Sequence, residues 1–295
     1  MPSARQAATS LVPAAQQAMR RRVLAAALAA PAAWLAGCAT PAADTRFSAQ
    51  GQDSRVLFVV LHFTGESLAD SLHILTRQAV SAHYLIGDES PPVVYRLVDE
   101  SQRAWHAGDS AWQGHAQLNA SSIGIEIVNP GGLTSADGSR VFAPYAPAQI
   151  AALIPLLRGI VARHAIRPGR ILGHSDIAPQ RKIDPGPALP WRALADAGLL
   201  PWPTLAQVAL QRSLLQARWP DGLPAAAWWQ QTLAQLGYSV PAHGSLDAAT
   251  RRVIAVFQMK YRPARHDGEP DPETAAWLQA VAAAEAPLAA AALAP

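Results

Sequence analysis

The residues best suited to metal chemistry lie in the segment GHSDIAPQRKIDPG, residues 173–186, and at the end of an apolar run upstream. The segment places His174 and Asp184 ten residues apart, with Lys182 close to the carboxylate. The upstream run, VLFVVLHFT, contains His62. Two imidazoles and one carboxylate suit a catalytic zinc whose fourth position stays open to water. These residue types favour metal-assisted hydrolysis, although any one of nine histidines could instead be structural.

Glu126 lies in the middle of a predicted strand, SSIGIEIVNP, between two isoleucines. A carboxylate that faces inward is either paired or functional, because an unpaired buried charge is costly. It could be a general base, or it could form a salt bridge to Lys182 or to an arginine. Gly124 in the same strand indicates that another group approaches the backbone closely.

Aromatic residues and histidines in two further motifs could line a groove for a sugar or a peptide. Trp105 and His106 begin WHAG, and Trp112 follows it. The alternative for this motif is a surface loop with one tryptophan docked on the core. In SAHYLI, His83 and Tyr84 could support the site from behind or face the core.

The elements that would position these residues alternate between strands and helices. The continuous apolar run VLFVVLHF predicts a strand buried on both faces. Further strands are predicted over residues 81–87, 92–98, 121–130 and 170–174, and helices over 66–80 and 147–164. This alternation predicts an α/β domain over residues 54–196.

The remainder of the chain predicts a linker and a helical unit. Residues 197–222 form the predicted linker, and three helices are expected within 223–283. Asp247 and Asp271 suit the N-terminal caps of the second and third helices. The Ala- and Pro-rich end, residues 284–295, is predicted to be a disordered tail.

The net charge of +3 does not indicate a nucleic-acid partner, because the excess lies in residues 1–37. That stretch carries four arginines and no acidic residue, so the rest of the chain has a net charge of −1. A basic region, an apolar region and LAGC at 35–38 predict a lipoprotein signal peptide over 1–37, translated from Met1 or Met19. Cys38, which is the chain's single cysteine, would then carry the lipid. The alternatives are an ordinary cleaved signal or a short membrane anchor. Residues 38–53 would form a flexible tether.

Six motifs occur in an order that is typical of one enzyme family. They are HFT (62–64), SAHYLI (81–86), WHAG (105–108), SIGIEIVN (122–129), GHSDIAPQRKIDPG (173–186) and PW (190–191). In this set the chain resembles the zinc N-acetylmuramoyl-L-alanine amidases of the amidase-2, or peptidoglycan-recognition-protein-like, class. GSLDAATRRVIAVFQMKYRP and DGEPDPETAAWL resemble a small three-helix peptidoglycan-binding domain. The resemblance covers residues 54–282 and implies a mixed central β-sheet flanked by helices, followed by that small domain.

The resemblance assigns a role to each candidate residue. His62, His174 and Asp184 would hold one zinc ion, Glu126 would move protons, and Lys182 would stabilise the oxyanion. The expected substrate is the amide between N-acetylmuramic acid, intact or in its 1,6-anhydro form, and the L-alanine of the peptidoglycan stem peptide. Tyr84, Trp105 and His106 would contact substrate or support the ligands.

The resemblance also implies a location and partners. Its lipid-anchored members are outer-membrane lipoproteins that face the periplasm, and Ala39 follows the lipidated cysteine where an inner-membrane retention signal would place Asp. The expected partners are peptidoglycan fragments and a membrane, which the lipid anchor would enter. The expected oligomeric state is a monomer. One departure is Phe63, where many relatives carry Tyr; it leaves the ligand set intact. The rival interpretations are a peptidoglycan receptor without activity, and a different amide or peptide hydrolase.

Overall fold

The computed structural model describes residues 43–135 and 140–291. The predicted signal peptide and Cys38 lie outside these residues, as does the end of the predicted tail, 292–295. Residues 43–52 belong to a separate unit, Met1–Gln52; they are exposed and contain no helix or strand. Asp53–Pro295 forms one compact unit that contains both predicted folded domains.

A five-stranded sheet is the centre of this unit. Nine strands are described: β1 Phe58–Phe63, β2 Tyr84–Ile86, β3 Val94–Arg96, β4 Ala111–Trp112, β5 His115–Ala116, β6 Ser122–Ile127, β7 Gly132–Thr134, β8 Arg140–Phe142 and β9 Ile171–Gly173. The sheet has the order β3-β2-β6-β1-β9. β2, β6, β1 and β9 run parallel, and β3 is an antiparallel edge strand. The predicted mixed central sheet is confirmed.

Eight helices complete the described part of the chain. They are α1 Leu68–Arg77, α2 Pro147–His164, α3 His174–Ile177, α4 Trp191–Asp196, α5 Leu205–Arg218, α6 Ala226–Leu236, α7 Ala248–Tyr261 and α8 Pro272–Ala291. Three of them, α6, α7 and α8, form the predicted C-terminal helical domain. Within residues 43–135 and 140–291, none of the helices combines the length and the hydropathy that a membrane span requires.

Two segments differ from the sequence-based expectation. The predicted linker, 197–222, contains the 14-residue helix α5, whose Val208 is buried in one core cluster with residues of α6, α7 and α8. Thr204 and Gln207 cap this helix reciprocally. The predicted tail begins inside α8, which continues to Ala291.

β1 separates two hydrophobic cores, as its continuous apolar sequence predicts. Phe58 and Val60 point into a core shared with the C-terminal helices. Val59 and Leu61 point to the opposite face, into a core that α2 covers. Because side chains alternate along a strand, His62 shares the face of Phe58 and Val60. The carboxyl end of β1 therefore delivers His62 toward the side of the sheet that the C-terminal helices cover.

Candidate metal centre and active site

The three predicted metal ligands meet at the carboxyl ends of adjacent parallel strands. His62, near the end of β1, is in register with Glu126 of β6. His174 directly follows β9, whose Gly173 pairs with Leu61 of β1. Parallel strands bring their carboxyl ends to one edge of the sheet, which is where α/β proteins place their ligands. Asp184 reaches the same point from a loop whose backbone carbonyl accepts a hydrogen bond from Ser175 N–H at 2.8 Å.

Three donor atoms converge on one point at this edge. His62 Nδ1 lies 3.0 Å from His174 Nδ1 and 2.9 Å from Asp184 Oδ2, and His174 Nδ1 lies 3.0 Å from the same oxygen. Ligand atoms at the corners of a tetrahedral zinc site lie about 3.3 Å apart, given metal–ligand bonds of about 2.0–2.1 Å. All three side chains are buried. The donor set and its spacing fit a single metal ion.

The second nitrogen of each imidazole has a partner that orients the ring. His174 Nε2 lies 3.1 Å from the carbonyl oxygen of Ala107, so it carries the proton and donates. His62 Nε2 lies 3.0 Å from His106 Nδ1, and His106 Nε2 lies 3.2 Å from the hydroxyl of Ser122. With each Nε2 protonated, both Nδ1 lone pairs are free for a metal. Such outer partners fix the tautomer and orientation of metal-binding histidines.

His106 can approach His62 only because Gly124 of β6 has no side chain at this position. A Cβ on Gly124 would lie 2.3 Å from Cγ of the His106 ring. This confirms that another group approaches the backbone closely at Gly124, and identifies that group as His106. Gly173 has a similar role, because a Cβ there would lie 2.6 Å from Cδ of Pro185, next to the ligand Asp184.

The electrostatics of the cluster keep His62 and Asp184 in their metal-binding forms. Burial, together with the neighbouring His174, lowers the pKa of His62 to about 4, so the ring is neutral near pH 7. Burial also lowers the pKa of His106 well below its usual value. Burial alone would raise the pKa of Asp184, but hydrogen bonds with His174 and His62 outweigh it and hold the pKa below its usual range. The carboxylate is therefore ionised.

Glu126 lies beside the ligands, and within the described residues no group donates a hydrogen bond to it. Its Oε1 is 4.0 Å from His62 Nδ1, and its buried Oε2 has no hydrogen-bond partner. Within the described residues it forms no salt bridge to Lys182 or to an arginine, which was the structural alternative. Burial and the nearby Asp184 raise the pKa of Glu126 well above its usual value. A carboxylate with these properties is suited to proton transfer.

The ligands line the floor of an open cleft with a volume of about 270 Å³. Glu126, Lys182, Trp105 and His106 line it too, and Trp105 is 56% exposed. Sequence reasoning missed one wall, which α1 supplies. That wall includes Ser71, Ile74 and Leu75, with Val80 and Ser81 just beyond the helix. A helix with one apolar stripe gave no signal that distinguishes a cleft wall from ordinary core packing.

The structure does not bring Tyr84 to the cleft. It pairs with Ile125 and shares the core that α2 covers, because residues in register across parallel strands face the same side. Its hydroxyl donates to Glu100 at 2.6 Å. His83, its neighbour, accepts a hydrogen bond from Gly124 N–H through Nδ1 and is fully buried.

Arg181 is a further residue that sequence reasoning missed at this site. Its guanidinium donates to the carbonyl oxygens of Ala107 and Asp109, and Ala107 is also the acceptor for His174 Nε2. Arg181 therefore ties the loop after His106 to the segment that carries His174 and Asp184. The sequence offered only its position beside Lys182 as a signal.

Comparison with known proteins gives matches to N-acetylmuramoyl-L-alanine amidases and to a peptidoglycan-binding domain. Residues 52–187 match the family model "N-acetylmuramoyl-L-alanine amidase", and residues 224–278 match "Putative peptidoglycan binding domain". The chain is 42% identical over 268 residues to N-acetylmuramoyl-L-alanine amidase AmiD of Escherichia coli, covering 86% of this chain and 95% of that protein.

Two solved structures are similar in fold as well. One is E. coli AmiD in complex with the substrate anhydro-N-acetylmuramic acid-L-Ala-D-gamma-Glu-L-Lys, with a TM-score of 0.71, 41% identity and coverage of 81% of this chain and 93% of that one. The other is AmpDh3 of Pseudomonas aeruginosa in complex with anhydromuramic pentapeptide, with a TM-score of 0.74, 39% identity and coverage of 82% and 97%.

Proposed function

The chain belongs to the amidase-2 family of N-acetylmuramoyl-L-alanine amidases, and on that premise we propose that it is a zinc enzyme that uses His62, His174 and Asp184 as ligands. Its reaction is hydrolysis of the amide between N-acetylmuramic acid, including the 1,6-anhydro form, and the L-alanine of the stem peptide. The observation that carries the proposal is the convergence of three donor atoms within about 3 Å, beside the unpartnered Glu126.

The substrate assignment follows from the relatives. E. coli AmiD was solved with a muramyl tripeptide named as its substrate, and AmpDh3 with an anhydromuramic pentapeptide. Both ligands contain a muramic acid joined to a peptide, and the candidate metal ligands of this chain line an open cleft. The exposed indole of Trp105 offers a flat apolar surface at its rim.

The chemistry divides between the metal and two side chains. A bound zinc ion would act as a Lewis acid that polarises the carbonyl and lowers the pKa of water. Glu126 takes a proton from the attacking water and passes it to the leaving amine of L-alanine, since it lies beside the ligand His62 and its Oε2 accepts no hydrogen bond within the described residues. Lys182 lines the same cleft and places a positive charge where negative charge develops on the carbonyl oxygen. The products are a lactyl carboxylate and a peptide with a free amine.

The C-terminal helices would contact the rest of the polymer. A groove of about 370 Å³ runs between them and the amidase domain, and Ile183, which lies between Lys182 and Asp184, is part of its wall. Among the described residues, the groove is lined by Arg140, Arg251 and Arg252 together with His266 and one acidic residue, Asp267. Stem peptides carry free carboxylates, so a groove with this charge suits them. We assign residues 54–196 to catalysis and 223–283 to holding the polymer.

The location that we propose rests on the sequence. Residues 1–37 would be a signal peptide, and Cys38 would carry a lipid that anchors the protein to the outer membrane, facing the periplasm where peptidoglycan lies. Cys38→Ser should move the protein from the membrane fraction to the soluble fraction, and unchanged fractionation would contradict the anchor.

Because one chain supplies every candidate ligand, we also propose a monomer, which sedimentation equilibrium can check.

The decisive experiment is digestion of purified sacculi and of a soluble muramyl tripeptide by the zinc-loaded chain. Mass spectrometry should find peptides that begin with a free L-alanine amine. Intact muropeptides in both digests would indicate a receptor without activity, and cleavage between amino acids would indicate a peptidase. His174→Ala serves as the control, because loss of one of three ligands should remove both zinc and turnover. Retention of one equivalent of zinc would contradict the ligand assignment.

A further inference from the structure

A buried ionic cluster joins the C-terminal helical domain to the helix that carries His174. Asp176 lies two residues after His174 in α3 and is 1% exposed. Its Oδ1 accepts a hydrogen bond from the Tyr238 hydroxyl at 2.8 Å. Its Oδ2 accepts from Lys260 Nζ at 3.2 Å and from Gly173 N–H at 2.8 Å. A buried carboxylate of this kind requires such partners.

The donors from the C-terminal domain are themselves held in place. Tyr238 lies two residues after the end of α6, is 5% exposed, and its ring packs edge-on against Trp112 at 4.8 Å. Lys260, in α7, is 8% exposed, and its ammonium lies 4.3 Å from the ring centre of Trp191. The cluster therefore connects two packed elements and does not depend on flexible surface side chains.

The position of the cluster relates it to metal binding. Asp176 bonds the backbone of Gly173 at the start of α3, and the next residue is the ligand His174. Any shift of α3 moves His174 Nδ1 relative to Asp184 Oδ2, which lies only 3.0 Å away. Ligand atoms tolerate displacements of a few tenths of an ångström at most before metal geometry suffers.

We propose that Tyr238 and Lys260 are positioning residues, which act through Asp176 to hold the metal ligand His174. The inference rests on the proposed ligand set and gives the C-terminal domain a second role besides holding polymer. Loss of the Tyr238 hydroxyl leaves the buried Asp176 Oδ1 without a donor and releases α3 to find another partner. Removing outer partners of metal ligands typically costs about 10–100-fold in metal affinity, and we expect about 10-fold here because Tyr238 acts through one intermediate.

The test compares Tyr238→Phe with Tyr261→Phe in the full chain. Tyr261 is also a buried tyrosine of the C-terminal domain, but it has no hydrogen bond to Asp176 among the described contacts. Zinc affinity is measured by competition with a chelating dye, and the ligand field by the absorption spectrum of the cobalt-substituted protein. Tyr238→Phe should bind zinc about 10-fold more weakly than the wild type and shift the cobalt spectrum. Tyr261→Phe should leave both unchanged.

A double-mutant cycle separates positioning from general stability. In an Asp176→Ala background, where no oxygen is left to accept from the Tyr238 hydroxyl, Tyr238→Phe should cause no further loss of zinc affinity, because its effect passes through the carboxylate. Equal zinc affinity and an unchanged cobalt spectrum in Tyr238→Phe, whatever its melting temperature, would overturn the inference alone. A wild-type chain that binds no zinc would overturn the proposed ligand set as well, so the two failures are distinguishable.

Discussion

The substitution Gly124→Ala tests the support of the metal centre most sharply. The new Cβ would lie 2.3 Å from Cγ, 2.5 Å from Cδ2 and 2.6 Å from Nδ1 of His106. Ordinary carbon contacts begin at about 3.5 Å, so the ring must retreat by more than an ångström. That movement breaks the hydrogen bonds to His62 and Ser122, which are 3.0 and 3.2 Å long.

Opposing contributions determine whether Gly124→Ala raises or lowers the free energy of unfolding. Replacing glycine by alanine in a strand normally stabilises by about 0.5–1 kcal/mol. Here overpacking costs about 1–3 kcal/mol, and each lost hydrogen bond costs about 1 kcal/mol. We therefore expect the free energy of unfolding to fall by about 2–4 kcal/mol. Zinc affinity should fall by about 10–100-fold, because His62 loses the partner that fixes its tautomer.

The assay is urea denaturation followed by zinc competition, with Gly222→Ala as the matched control. A Cβ at Gly222 meets no atom within 4 Å, so this variant should resemble the wild type. Adding His106→Ala to Gly124→Ala removes the clash and should restore part of the stability, but not the zinc affinity. Gly124→Ala with the stability and zinc affinity of the Gly222→Ala control would refute the reasoning.

Three further predictions concern separate groups. Glu126→Gln should retain zinc and lose at least about 100-fold in kcat, because it removes only the proton acceptor; kcat within a few-fold of the wild type in a steady-state assay would exclude Glu126 from proton transfer. Lys182→Met should lower kcat by about 100–1000-fold with little change in KM, and a change confined to KM would show that Lys182 only binds substrate. Hydrogen bonding to Arg163, helped by Tyr84 and His164, lowers the pKa of Glu100 to about 2, so this carboxylate stabilises the fold above its unfolded pKa of about 4.3 and loses that effect as pH falls toward 2. Glu100→Gln should therefore destabilise the chain near neutral pH and lose this penalty in acid; a difference in unfolding free energy that is independent of pH would contradict it.

The candidate metal ligands could be selected from the sequence by residue type and placement together, because His62 and His174 end predicted strands and Asp184 lies on a proline-flanked loop. Ligand type alone left a metal site and structural histidines as equal alternatives, and the position of Glu126 between isoleucines marked it for pairing or catalysis. Gly124 predicted a close approach that the structure confirms. The sequence did not identify His106 as the approaching group. His106 lies 16 residues before Ser122 in sequence, and only the fold brings the two side chains together.

Features that depend on long-range packing could not be predicted from the sequence. Tyr84 begins a short strand, and nothing local indicates which face of the sheet it occupies; the register with Ile125 decides this. α5 was predicted as linker because prolines flank it, although Thr204 and Gln207 form a capping box that signals a helix start. The contact between Asp176 and Tyr238 joins residues 62 positions apart, and only the packing of the C-terminal helices brings them together.

Hydrolysis of a muramyl tripeptide in water enriched in the heavy oxygen isotope tests the central claim most directly. The zinc-loaded chain should release an unlabelled peptide with a free L-alanine amine and a muramic acid whose lactyl carboxylate carries one heavy oxygen atom. In the proposed reaction the label enters there because water attacks the lactyl carbonyl carbon of the amide. A heavy oxygen in a peptide carboxylate or in the sugar ring, or recovery of intact substrate, would contradict the proposed amidase reaction.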